Sequence, residues 1–231
     1  TFLLWEFLAD RYKDKDAIAG YDLLNEAALA DTRLLNAFYK KLIETVRSVD
    51  RNHLLFVEGN IWATDLNCLD DFADDKVVLS IHVYQPTDFT FNFVPSLKYP
   101  FTGKGPRWDQ SALRKLFWSY EKIARASSRP IHVGEFGVNV RHGFFGEDRW
   151  LKDILASFKE FGFHWTYWTY KAVKNAVFPD GIFSYCDNPP WVNRQGPRMG
   201  WETYSALWPK HQQEIIRSWL IPISQRTTVR A

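Results

Sequence analysis

Short apolar runs alternate along the chain with longer stretches whose apolar residues recur every three or four positions. Ala17 to Leu24 (AIAGYDLL), His53 to Val57, Val77 to Val83 (VVLSIHV), Pro130 to Val133 leading into Glu135, and Trp165 to Tyr170 read as strands. Phe2 to Tyr12 has helical spacing. Asp31 and Thr32 can cap a helix that carries Leu34, Leu35, Phe38, Leu42, Ile43 and Val46 on one face. Leu113, Leu116, Phe117, Tyr120 and Ile123 make the next stripe. Leu151, Ile154, Leu155, Phe158 and Phe161 make another, closed by Gly162 as its C-cap. A last helical region starts near Trp201 and is interrupted by Pro209. Strand then helix, repeated, predicts parallel strands with right-handed crossovers. Strands that are apolar throughout fit a sheet covered on both faces. The five strands end near Asn25, Glu58, Tyr84, Glu135 and Tyr170.

Two loops stand out by length. One runs from Gln85 to Trp108 and carries Phe89, Phe91, Phe93, Tyr99 and Phe101; the other runs from Val173 to Met199 and carries Phe178, Phe183, Tyr185 and Trp191. Both follow the C-terminal ends of strands, where parallel α/β folds place their active sites. Composition changes this picture in one respect. The chain has 231 residues, 46% hydrophobic and 24% charged, which predicts a single globular domain. A net charge of +2 does not suggest a nucleic-acid partner. Aromatic content, however, is 17%, with 11 Trp. Such rings either fill core or stand exposed as flat platforms for sugar faces. Cys68 and Cys186 are too few for a disulfide framework and lack metal-type spacing, although one bridge between them is possible. No apolar run approaches the ~20 residues of a membrane span, and the N-terminus lacks the marks of a signal peptide.

Two carboxylates end predicted strands: Glu26 in YDLLNEA and Glu135 in IHVGEFG. In a parallel barrel every strand ends on the same rim, so acids distant in sequence can meet across it. Glycoside hydrolysis needs such a pair, one to protonate the departing oxygen and one to attack the anomeric carbon or activate water. Alone, either glutamate also suits a rim ion pair or a helix N-terminus. Four motifs occur in order, each ending a predicted strand: Asn25-Glu26, His82-Val83-Tyr84, Gly134-Glu135-Phe136-Gly137 and Trp168. Together, and with the approach RYKDKDAIAGYDLLNEA, they resemble glycoside hydrolase family 5, the cellulase-like retaining β-glycanases, over nearly the whole chain.

The resemblance implies a (β/α)8 barrel and assigns roles. Glu26 is the general acid/base and Glu135 the nucleophile. Asn25 binds the substrate 2-hydroxyl, Tyr84 stands beside the nucleophile, His82 lines the site and Trp168 is the sugar platform. Lys171 is expected to reach a neighbouring subsite. Trp62 is a weaker platform candidate and is read as an ordinary structural ring. The remaining histidines form no metal spacing, and the family mechanism uses no metal or cofactor. The implied reaction is retaining, endo-acting hydrolysis of a β-1,4-glucan, outside the cell. Mannan, xyloglucan and other β-glucans are alternative substrates, and a fragment that binds sugar without cutting it is an alternative state. In the family Asn-Glu ends the fourth strand, so the chain is expected to carry about five of eight βα units, strands four to eight. It then lacks an arginine from the second strand and a histidine after the third. An incomplete barrel leaves strand edges unpaired, which predicts a homo-oligomer that covers them. Beyond the sugar and a second copy, neither a nucleic acid nor a membrane is an expected partner.

Overall fold

The computed structural model describes residues 1–103, 105, 107–140, 144–173, 178, 179, 181 and 183–185. Its first elements are α1 (Phe2–Tyr12), β1 (Gly20–Asp22), α2 (Thr32–Arg47), β2 (Leu54–Glu58), the single turn α3 (Asn60–Ala63) and β3 (Val77–His82). Next come the single turn α4 (Thr87–Thr90), β4 (Phe101–Thr102), β5 (Arg107–Trp108), α5 (Gln110–Ser127) and β6 (Ile131–Glu135). The last described are α6 (Glu147–Phe161), β7 (His164–Trp165), β8 (Lys171–Val173) and β9 (Phe183–Tyr185). Strands β1, β2, β3, β6 and β7 form one sheet in that order. Strand β1 pairs parallel with β2, Tyr21 opposite Leu55, and β2 parallel with β3, Val57 opposite Leu79. These five strands with their helices are the expected part of a (β/α)8 barrel. The chain divides into two compact units, Thr1–His82 with Ser119–Gly134, and Val83–Trp118 with Glu135–Ala231.

In the first unit, every residue of β3 is buried, as a sheet covered on both faces requires. Helix α2 starts where the sequence says it should: the Asp31 side chain accepts a hydrogen bond from the Arg33 backbone N–H. Its buried face is Leu35, Tyr39, Leu42, Ile43 and Val46. Leu34 departs from expectation and is 64% exposed. Successive helical residues are ~100° apart, so the face centred on Leu35, Tyr39 and Leu42 turns Leu34 outward. Helix α1 spans the expected residues. Trp5 lies 5.9 Å from the Tyr21 ring and Phe2 5.3 Å from Phe38, while Leu3, Leu4 and Phe7 are exposed.

In the second unit, α6 buries Trp150, Leu151, Ile154, Leu155 and Phe158 and ends on Gly162, whose φ of 71° is the left-handed C-cap anticipated. Phe136 is fully buried, with the rings of Phe158, Trp165 and Tyr167 edge-on at 5.0, 5.4 and 5.3 Å. The long loop after β3 is not structureless: it contains α4 and the antiparallel hairpin β4–β5, with Phe101 opposite Trp108. The last strand is shorter than predicted. Strand β7 stops at Trp165, and Lys171 instead opens β8, which pairs parallel with β9. Trp168 and Tyr170 therefore do not share a strand face, and the alternation expected for Trp165 to Tyr170 does not apply. Cys68 is a free thiol. Its candidate partner Cys186, Trp191 in the second long loop, and the helical region from Trp201 lie outside the described residues.

Candidate active site

In the first unit the site is built on the C-terminal ends of β1, β2 and β3. Asn25 and Glu26 follow β1; Asn25 is exposed and Glu26 half-buried. Glu26 has φ 51°, in the left-handed region where a non-glycine residue is uncommon. His82, the last residue of β3, is 3% exposed and places Nδ1 2.8 Å from Glu26 Oε1. Its Nε2 lies 3.2 Å from Oε1 of Glu58, the last residue of β2. Oε2 of Glu58 accepts a hydrogen bond of 2.5 Å from the backbone N–H of Glu26. Glu58 is 1% exposed, and its carbonyl accepts the hydroxyl of the fully buried Tyr39 at 3.0 Å. Burial, then the charge of Glu58, push the Tyr39 hydroxyl above its ordinary range, so it stays a donor. Gly134 on β6 leaves room for this packing, since a Cβ there would lie 2.9 Å from Ser80 Oγ and 3.1 Å from His82 Nε2.

Glu58 is the residue that sequence reasoning missed. Its signal was a single carboxylate closing the apolar run LLFVE, which reads equally well as a strand end. Trp62 follows β2 on α3. It is 60% exposed, and its backbone N–H donates to the carbonyl of Ala27, next to Glu26. At 2.8 Å the His82–Glu26 contact has the length of a hydrogen bond.

In the second unit the site is organised around Glu135, half-buried at the end of β6. Its Oε2 accepts the Tyr84 hydroxyl at 2.6 Å. The Tyr84 ring lies 4.9 Å from Phe91, which packs edge-on to Phe93 at 5.5 Å and Phe178 at 5.3 Å. The two long loops are tied together: Phe178 N–H donates to the Phe91 carbonyl, and the Asn139 side-chain amide to the Phe178 carbonyl. Among the described residues of these loops the aromatic rings differ in burial. Phe89 and Tyr99 are core, Phe91 supports Tyr84, and Phe93 and Phe178 remain half-exposed.

Trp168 is 49% exposed, and its backbone N–H donates to the Phe136 carbonyl at 2.9 Å. The Trp168–Thr169 peptide is cis. Gly137 is required here, because a Cβ on it would sit 2.3 Å from the Trp168 carbonyl oxygen. Lys171 is placed at the first position of β8, opposite Phe183. The structure thus brings Glu26, His82 and Glu58 together in one unit and Tyr84 with Glu135 in the other.

Residues 2–174 match the cellulase family, glycosyl hydrolase family 5. The chain is similar to a beta-xylosidase from Phanerodontia chrysosporium, 31% identical over 74% of this chain and 37% of that protein. It is similar to endoglucanase C from Acetivibrio thermocellus, 23% identical over 76% of this chain and 60% of that protein. Among solved structures it resembles the cellulose synthase subunit Z from Clostridioides difficile, with a TM-score of 0.64 and 25% identity over 80% of this chain and 62% of that one. The chain therefore spans 37% and 60% of the lengths of these two relatives, less than two thirds of either.

Proposed function

The chain belongs to glycosyl hydrolase family 5, and on that premise we propose that it is a retaining, endo-acting β-glycanase with Glu135 as nucleophile and Glu26 as acid/base. The observation that carries the reading is that each strand-end glutamate has its own fixed donor or acceptor. Tyr84 donates to Glu135 at 2.6 Å, and His82 Nδ1 faces Glu26 at 2.8 Å.

A nucleophile must be ionised, and a phenol hydroxyl directed at a carboxylate stabilises the anion and orients it. Glu135 attacks the anomeric carbon as the bond to the aglycone oxygen breaks, and Glu26 delivers a proton to that oxygen. The resulting glycosyl ester on Glu135 is then hydrolysed. Glu26, now a carboxylate, takes a proton from water as the water oxygen bonds to the anomeric carbon and Glu135 leaves. Asn25 holds the 2-hydroxyl, Trp168 offers its exposed face to a sugar ring, and Lys171 is assigned to an adjoining subsite. No step needs a metal or cofactor.

The preferred substrate in this reading is a β-1,4-glucan. Support comes from the endoglucanase among the relatives. A polymer of this kind cannot cross a membrane, which supports action outside the cell. Among the described residues no helix is long and apolar enough to span one. One observation favours a second substrate: the relative with 31% identity is named a beta-xylosidase. Reducing ends released from β-1,4-glucan, mannan, xyloglucan and β-1,3-glucan, with an aryl β-xyloside alongside, decide the class. Proton NMR of the first product decides the mechanism: the β-anomer is expected, and initial α-anomer would show inversion. Binding to all of these without release of sugar would mean a binding module.

A further inference from the structure

Glu58 cannot touch a substrate, because it is 1% exposed. Burying a carboxylate is costly unless its oxygens are well used, and the partners of the two Glu58 carboxyl oxygens belong to one task. Oε2 takes the backbone N–H of Glu26 at 2.5 Å, and Oε1 faces His82 Nε2 at 3.2 Å. The other imidazole nitrogen is 2.8 Å from the Glu26 carboxyl. Glu26 is thus held from both ends, by its amide and by its carboxyl through His82. Its backbone also needs holding, since a glutamate at φ 51° lies outside the ordinary helix and strand basins. Strained backbone persists only where surrounding contacts fix it.

We infer that Glu58 is a positioning residue for Glu26: it locks the left-handed backbone that aims the side chain, and it holds the imidazole that faces the carboxyl. The inference rests on the reading of Glu26 as the acid/base. An anionic Glu58 keeps a proton on His82 Nε2, because a bare nitrogen lone pair opposite a carboxylate is repulsive. Nδ1 is then turned to Glu26, and Nδ1 and the Glu26 carboxyl share one hydrogen-bonded proton. A slack Glu58 would leave the acid able to bind no worse but to transfer its proton worse.

Glu58→Gln keeps the shape and removes the charge. With an unactivated oligosaccharide, whose leaving oxygen needs a proton, kcat should fall about 10- to 100-fold with KM nearly unchanged. With a nitrophenyl glycoside, which departs without help, the glycosylation rate should fall less than about threefold. Glu26→Gln is measured beside it. If Glu26→Gln shows this substrate dependence and Glu58→Gln loses equally on both, the positioning role is wrong and the acid/base reading survives. If Glu26→Gln itself loses equally on both, the acid/base reading falls and takes this inference with it. A readout that needs no turnover and no altered Glu58 is the His82 ring. Its nitrogen-15 signals, assigned by their loss in His82→Gln, should show Nε2 protonated in the wild-type chain. A bare Nε2 there overturns the inference.

Discussion

In the proposed roles, Glu26 and Glu135 should respond differently to the leaving group. An activated aryl glycoside needs little acid help but still needs a nucleophile. Glu135→Gln should therefore abolish turnover of every substrate. Glu26→Gln should lose about 10²- to 10⁴-fold on an oligosaccharide and much less in the glycosylation of an aryl glycoside. Pre-steady-state release of the aryl group measures that step, and equal losses in the two variants would contradict the assigned roles. Trp168 makes a narrower prediction. With 49% of its surface exposed, Trp168→Ala should weaken sugar binding by about 1 kcal/mol and shift stability by no more than about 0.5 kcal/mol. Calorimetric titration and urea unfolding read the two separately; a large loss of stability with unchanged binding would make the ring structural. At this scale the strand-end positions of Glu135 and His82, and of Tyr84 just past β3, were legible because short motifs carry them. Glu58 was not, because its meaning lies in a pairing between β2 and the turn after β1 that no spacing along one strand reveals.

At the scale of elements, the ends of helices were the most legible features, because capping is local chemistry. Asp31 caps α2 and Gly162 closes α6 as the sequence requires. Asp31→Ala should cost about 1 kcal/mol in urea unfolding. Gly162→Ala should cost a similar amount, about 1 kcal/mol, from backbone strain alone: φ is 71° and a Cβ there would meet nothing within 4 Å. An alanine at 162 that leaves stability unchanged would mean α6 can end in another way. The strand at Trp165 to Tyr170 was misjudged for the opposite reason. TYWTY is rich in residues that favour strands, yet the Trp168 carbonyl comes close to the backbone at Gly137, and β7 ends at Trp165. A long-range fit overrode a local preference. In the same way the aromatic loop residues could not be sorted into core and platform by composition, since Phe89 and Phe93 differ only in what packs on them.

For the whole molecule, stability should depend on pH through buried acids away from the glutamate sites. Burial alone would push the Asp50 carboxyl up. Hydrogen bonds from the Tyr21 hydroxyl, the backbone N–H groups of Asn52 and His53 and the His53 ring outweigh it and leave it below its ordinary value. Asp74 behaves alike, its burial outweighed first by Arg47 at 2.5 Å. A carboxyl lowered in the folded state contributes stability above its unfolded pKa of ~3.9, and that contribution is lost as pH falls through this region. Unfolding free energy should therefore drop from pH 5 toward pH 3, and Asp50→Asn should flatten that limb while lowering stability at pH 7. A variant whose acid limb matches the wild type would show that Asp50 does not carry it. The homo-oligomer is likewise a proposal. Leu3, Leu4 and Phe7 on α1 are exposed, and a second copy would bury them, so Phe7→Glu should lower the mass found by light scattering. A wild-type chain already monodisperse as a monomer contradicts it.

The central claim is that Glu135 forms a covalent bond to the sugar. A β-cellobioside bearing 2-fluoro and dinitrophenyl groups forms such an intermediate quickly and hydrolyses it slowly. Peptide mapping by mass spectrometry after incubation should find one fluoroglycosyl group on the peptide that contains Glu135. A label on Glu26, or turnover with no label on Glu135, would contradict the account.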